Sequence, residues 1–348
     1  MPLSSIAVQG TALRALYRLP HRIRRLIAGP PIRLDGQELA LDAQLLLRAR
    51  AMSGVPSLAS GTPAKARHDL VAGSRMIAGT PIEPVDARDL SIGSIPARLY
   101  TPTGLAEGSP LLVFFHGGGF VLGNVDSHDN TCRFLAKHAR VRVLSVDYRL
   151  APEHPFPHGV EDALTAFKYA HTNAKQLGAD PDAIAVGGDS AGGNLAAVVA
   201  LVTTREGGPK PAFQLLIYPA TDSTRDTRSK KLFAEGFFLT KDDMDWFMGH
   251  YAVNEQDKHD PRYSPLLAPD LSGLPPAYLA TAGFDPLRDE GEAYAERLRE
   301  AGVPVMLSRH ADLIHGYANF LGIGTRFREA MFEAAGVLRS GLELKPSE

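Results

Sequence analysis

The chain has 348 residues, 44% of them hydrophobic and 22% charged, with a formal net charge of −2. This is the balance of an ordinary globular protein with a large core, and so neutral a total gives no electrostatic footprint for nucleic acid. A lone cysteine, Cys132, excludes an intrachain disulfide and a cysteine-based zinc cluster, and no run approaches the roughly 18–20 apolar residues of a bilayer-spanning helix.

Residues 1–33 carry six arginines, at 14, 18, 22, 24, 25 and 33, and no acid. Leu13, Leu16, Tyr17, Ile23, Leu26 and Ile27 are interleaved with them, and Pro20 interrupts the run. The pattern predicts one or two short amphipathic helices packed on the body; contact with a membrane surface is the alternative. The charges do not precede the apolar residues as they do in a signal peptide. With the lone cysteine, this leads to the expectation of a cytoplasmic protein.

Residues 36–52 follow a helical period, and residues 53–66, rich in Gly, Ser and Pro, predict a loop. Pro84–Ile92 and Ala97–Thr101 read as two strands of a hairpin. From about residue 110 short apolar runs alternate with helical stretches. Strands are predicted at Leu111–Phe115, Val141–Val146, Ile184–Val186, Phe213–Tyr218, Ala277–Ala282 and Val303–Leu307. Helices are predicted at 159–177, 191–205, 288–301 and 325–343. Such alternation implies an α/β fold with a mostly parallel central sheet flanked by helices. Residues 221–262 break it, and an insertion there falls at the C-terminal edge of the sheet, where α/β proteins bind ligands.

Residues 188–192 read Gly-Asp-Ser-Ala-Gly between an apolar strand and a helical stretch. This is the strand–turn–helix setting of a serine nucleophile, so Ser190 is the candidate. His116 begins a His-Gly-Gly-Gly run directly after the strand 111–115. Glycine backbone can approach a reacting carbonyl and present N–H groups to the oxyanion it becomes. Gly117 and Gly118 are the expected donors, with the N–H of Ala191 as a third; His116 is read as structural. A serine needs a base and an orienting acid, which follow in the order acid, then histidine. Asp285, just past the strand 277–282, is favoured over Asp289, which opens the next helix. His315, in the loop after a strand and before Gly316, is favoured over His310.

Five segments together resemble one family: HGGGF at 116–120, DYRLAPEHPFP at 147–157, GDSAGGN at 188–194, DPLRDEG at 285–291 and HGY at 315–317. They look like the bacterial hormone-sensitive-lipase-like carboxylesterases, family IV of the α/β-hydrolase superfamily, in the branch written GDSAGG. The resemblance implies a Ser190–Asp285–His315 triad and an oxyanion hole at Gly117, Gly118 and Ala191. It also implies a helical cap, here residues 1–60 and 221–262, over a catalytic domain of residues 61–220 and 263–348. The implied reaction is hydrolysis of short- to medium-chain esters through an acyl-enzyme, with a small-molecule ester as partner and no metal or cofactor. An acyltransferase or amidase using the same triad, and a non-catalytic receptor on the same fold, are the other readings. Dimers are common in that family, but no interface is legible.

Phe237, Phe238, Trp246, Phe247 and Tyr251 are the candidates for the acyl wall, with packing inside the cap as the alternative. Asp147, Tyr148, Arg149 and Glu153 are expected to form a buried polar network, Asp126 and His128 to be structural, and Asn194 to hydrogen-bond near the elbow.

Overall fold

A computed structural model describes residues 3–54, 57–59 and 61–343. The chain opens with α1 (Leu3–Arg18) and α2 (His21–Ala28), then the two-residue strands β1 (Arg33–Leu34) and β2 (Gln37–Glu38), then α3 (Leu41–Ser53) and α4 (Pro63–Ala78). The first two helices match the arginine-rich pattern. α3 starts later than its periodicity suggests, because residues 37–38 pair as a strand instead.

α4 shortens the expected loop at 53–66: residues 54, 57–59, 61 and 62 are not helical, but Ser53 still belongs to α3 and residues 63–66 already belong to α4. Thr62 caps the helix by accepting the Lys65 N–H, and Pro63 takes the first helical position, where it has no N–H to waste. That start signal lies inside the Gly-, Ser- and Pro-rich stretch and was absorbed by it. Residues 55, 56 and 60 of the expected loop lie outside the described residues.

The hairpin β3 (Val85–Ile92) and β4 (Ile95–Pro102) follows, then β5 (Ser109–Phe115), α5 (Asp129–Ala139), β6 (Arg142–Val146), α6 (His158–Thr172), β7 (Ala179–Asp189), α7 (Ala191–Glu206) and β8 (Phe213–Ile217). α8 (Arg228–Leu232) and α9 (Lys241–Tyr251) form the insertion, and β9 (Ala277–Phe284), α10 (Arg288–Glu300), β10 (Val305–Ile314) and α11 (Arg326–Glu343) complete the chain. α5 is a helix that the sequence reading did not identify.

The eight sheet strands lie in the order β10-β9-β8-β7-β5-β6-β4-β3, and only β4 runs against its neighbours. β5, β6, β8 and β9 are buried along almost their whole length, so their sequences are continuous apolar runs rather than alternating ones. One face packs on α6, α7 and α10. The other packs on α3, α5 and α11. The α/β architecture therefore stands as the sequence implies. Its consequence for function is directional: β5, β7, β9 and β10 all release the chain at the same edge, and the groups that follow them converge there.

Candidate active site

β7 runs into Ser190, which has φ 57° and ψ −118°. That left-handed backbone costs a non-glycine residue about 1–3 kcal/mol and persists only where the surroundings over-determine it. Here they do. The Ser190 N–H donates to the carbonyl of Ile217 at 2.9 Å, and the Asn194 N–H donates to the Ser190 carbonyl at 3.0 Å. Gly192 is required by close approach, since a Cβ there would overlap the Phe115 carbonyl. α7, buried on all sides from Ala191 to Leu201, begins immediately after and directs its positive end toward the serine.

Asp285 follows β9 and is fully buried. Its Oδ1 accepts the Leu287 N–H at 2.8 Å, which fixes the carboxylate plane. Its Oδ2 lies 2.7 Å from His315 Nδ1. His315 follows β10, and its Nε2 lies 3.0 Å from Ser190 Oγ. With a carboxylate on one side, Nδ1 carries the proton and donates, which leaves Nε2 free to accept from the serine hydroxyl. The structure thus brings Ser190, His315 and Asp285 into one hydrogen-bonded chain. His310 is elsewhere, buried against Tyr317 and beside Arg326. Asp289 accepts the Ser229 N–H at 2.8 Å and so fastens α8 to the start of α10.

The expected oxyanion donors need one correction. The Gly117 N–H is taken, donating to Asp189 Oδ1 at 2.8 Å. The N–H groups of Gly118, Gly119 and Ala191 have no protein acceptor among the described residues. Gly118, at φ 125°, turns the backbone so that the loop can pass Leu122. The third glycine of the run was the available signal, but which N–H is free depends on a carboxylate from another strand.

Asp189 is a centre that the sequence marked only as a motif letter. Besides Gly117, its carboxylate meets His128 Nε2 at 3.2 Å, Tyr218 Oη at 3.3 Å and Asn319 Nδ2 at 3.1 Å. Burial pushes its carboxyl up, but the His128 imidazole and the Gly117 N–H outweigh this and hold it below the usual carboxylate range. Tyr218 also lays its ring against His315, with centroids 4.6 Å apart. Asp189 thereby links the glycine loop, the elbow and the loop that carries the imidazole.

His116 is structural in its contacts. It stacks on Tyr148 at 4.4 Å, and burial together with His128 lowers its pKa to about 3, so it is neutral near pH 7. The segment 147–157 is not one buried network. Tyr148 is buried and donates to the His116 carbonyl at 2.7 Å, whereas Arg149 pairs with Asp162 and the exposed Glu153 with Arg67. Asp126 pairs with Arg98, and His128 is buried on Asp189. Asn194 donates to the carbonyls of Ala220 and Tyr263, both at 2.8 Å.

A cavity of about 1420 Å³ opens over Ser190 and His315. Of the five expected aromatic wall residues, Phe238 and Phe247 line it. The other three do not. Phe237 packs on Phe233 and Phe284, Tyr251 stacks on Phe120 with centroids 4.0 Å apart, and Trp246 turns toward His250. Leu13 and Leu16 of α1 and Met76 and Ile77 of α4 supply wall that the sequence reading had not assigned. Among the described residues, no group of three or more His, Cys, Asp or Glu side chains could hold a metal ion.

Residues 112–319 match the family described as the alpha/beta hydrolase fold. A carboxylic ester hydrolase, LipN of Mycobacterium tuberculosis, is 47% identical over 351 aligned residues, covering 96% of this chain and 93% of its own. An ethyl acetate hydrolase of Pseudomonas putida is 38% identical across 84% of this chain and 94% of its own. Among solved structures, an ester hydrolase from the metagenome of Lake Arreo, complexed with a bipyridine phosphonate derivative, superposes with a TM-score of 0.83 at 44% identity, covering 88% of this chain and all of that one. The chain belongs to the α/β-hydrolase family, among the bacterial hormone-sensitive-lipase-like carboxylic ester hydrolases.

Proposed function

We propose that the protein hydrolyses short- to medium-chain carboxylic esters by acyl transfer to Ser190. The observation that carries this is the pair of hydrogen-bond distances through His315, 3.0 Å to Ser190 Oγ and 2.7 Å to Asp285 Oδ2. As Oγ bonds to the ester carbonyl carbon, its proton passes to His315 Nε2. The carbonyl oxygen becomes an anion facing the N–H groups of Gly118, Gly119 and Ala191, which need no reorganisation to receive it. His315 then gives its proton to the departing alcohol oxygen. Water repeats the cycle on the acyl-enzyme, releasing the acid and restoring the serine. Asp285 fixes the imidazole tautomer and stabilises its charged form.

The cap assignment also belongs to this reading, with α4 added to it. α1, α3 and α4 together with residues 221–262 wall the cavity above the serine. Asp243 ties the two parts: one carboxylate oxygen accepts the Ala59 N–H at 3.0 Å and the Ser57 hydroxyl, and the other accepts the Thr240 N–H at 3.1 Å. The cavity exceeds the ~300–1,000 Å³ of common ligand pockets, leaving room for an acyl chain and an alcohol together.

The test is hydrolysis of p-nitrophenyl esters from acetate to palmitate, wild type beside Ser190→Ala. Turnover favouring the shorter acyl chains and lost in the variant supports the reading. Near-normal turnover by folded Ser190→Ala overturns it.

A further inference from the structure

α2 is mounted the wrong way round for a surface helix. Two of its three arginines point inward: Arg24 Nη1 bonds Asp42 Oδ1 at 2.7 Å, and Arg25 Nη1 bonds Gln44 Oε1 at 2.9 Å, both partners being buried residues of α3. Two of its aliphatic residues point outward, Leu26 at 82% and Ile23 at 43% exposed, while Ile27 is half-buried and Ala28 buried. An i, i+3 spacing puts these two on one face, and Arg22, four residues before Leu26, stands beside them. Leu19 is also exposed, just before the helix, and Arg18 closes the preceding turn. Arg18 and Arg22 are exposed and have no partner among the described residues.

An ordinary helix with a strong apolar side buries it and leaves its cations in water. Here the protein spends two arginines as inward anchors and leaves Leu26 in solvent. A cluster of leucine and isoleucine flanked by unpaired arginines is the composition of a segment that lies in a lipid–water interface. The charge is of one sign: residues 1–33 hold six arginines and no acid. No described helix is long and apolar enough to cross a membrane, so the contact would be with a surface.

The position matters as much as the chemistry. Leu16, on α1, lines the cavity over Ser190, and the exposed Leu19 is one turn further along. We propose that the α1–α2 corner is a docking surface for an anionic phospholipid bilayer, seated so that esters dissolved in the lipid enter the cavity beside α1. The docking rests on the corner alone; the delivery of substrate rests on the hydrolase reading above. Leu19, Ile23 and Leu26 enter the boundary between headgroups and acyl chains, and Arg18 and Arg22 meet lipid phosphates. A second copy of the chain covering the same aliphatic cluster would give a different outcome.

The experiment is co-sedimentation of the full chain with phosphatidylglycerol and phosphatidylcholine vesicles at low and high salt. It is run for wild type, Ile23→Ser/Leu26→Ser and Arg18→Glu/Arg22→Glu, with size-exclusion chromatography and hydrolysis of soluble p-nitrophenyl butyrate as controls. The expected result is binding to phosphatidylglycerol that salt weakens, reduced about tenfold or more in each variant, with monomeric elution and soluble-ester turnover unchanged. Absence of binding to either vesicle overturns docking, as does equal binding by the variants. A dimer in wild type that either variant dissociates overturns it in favour of a second copy. Ser190→Ala is sedimented beside these: vesicle binding equal to wild type with turnover lost supports docking by the corner alone, and loss of binding by the folded variant overturns it.

Discussion

The floor of the cavity and the wall above it are held by different means. On the floor, Ser190, Asp285, His315 and the glycine loop each sit just past a strand end, and the backbone sets them to within a hydrogen-bond length. In the wall the elements are fastened by side chains: Arg14 of α1 to the Met76 carbonyl of α4, Arg24 of α2 to Asp42 of α3, Arg67 of α4 to Glu153, and Asp243 of α9 to Ser57 and the Ala59 N–H. The difference teaches where variation is tolerated. A shift in the floor breaks the hydrogen bonds that join Ser190, His315 and Asp285, whereas a shift in the wall changes the shape of the cavity.

Ser190→Ala is the sharpest way to separate the two. It should lower turnover by roughly 10⁴–10⁶-fold, while the thermal midpoint moves little or rises, because the strained turn remains and no packing is lost. Tyr251→Ala attacks the seam between wall and floor, where the ring stacks on Phe120. It should cost about 3–5 kcal/mol of stability, read by urea denaturation, with the chain-length preference of the surviving enzyme unaltered. Asp243→Ala cuts the link within the wall and removes the N-terminal capping box of α9. A loss of about 2 kcal/mol is expected, with faster proteolysis near residues 54–62. Cleavage there no faster than in wild type would mean that the two halves of the wall do not depend on this contact.

Asp147 offers a smaller test on the floor side. Burial and the neighbouring Asp126 push its carboxyl up to about 6. The unfolded chain loses this proton at an ordinary carboxylate pKa near 3.9, so the folded state binds more protons between the two values. Stability from this group is therefore full below about pH 4, falls as pH rises to about 6, and is level above. Asp147→Asn should stabilise by about 1 kcal/mol at pH 8, after allowance for partial exposure, and by almost nothing at pH 4. Denaturation at both pH values checks the sign. The smallest effect should come from Phe238→Ala: the rank order of acyl lengths shifts toward longer chains, with turnover on acetate within about threefold of wild type.

The sheet was legible because strands covered on both faces must be apolar throughout, and Leu111–Phe115 or Ala277–Ala282 can hardly read as anything else. Ser190, Asp285 and His315 were legible because each sits at a strand end beside a turn-forming residue. What failed needed information from elsewhere in the fold. Gly117 looks as free as Gly118 until Asp189 arrives from β7 and takes its N–H. Phe237 and Phe238 are neighbours in sequence, yet one joins Phe284 in the core and the other faces the cavity. Phe238 has a φ of 78°, and no periodicity announces that local reversal. α4 was hidden by composition, since Gly-, Ser- and Pro-rich stretches begin helices as well as loops.

The amide of Asn194 has a consequence for how such enzymes diversify. One Nδ2 group holds the carbonyls of Ala220 and Tyr263, the two flanks of the insertion, at a single point on the nucleophile's helix. Whatever lies between those carbonyls is anchored like a cassette in a frame. A change of length between them leaves both ends of the segment fixed beside Ser190, while Ser229 and Tyr251 within it must still find Asp289 and Phe120 on the body.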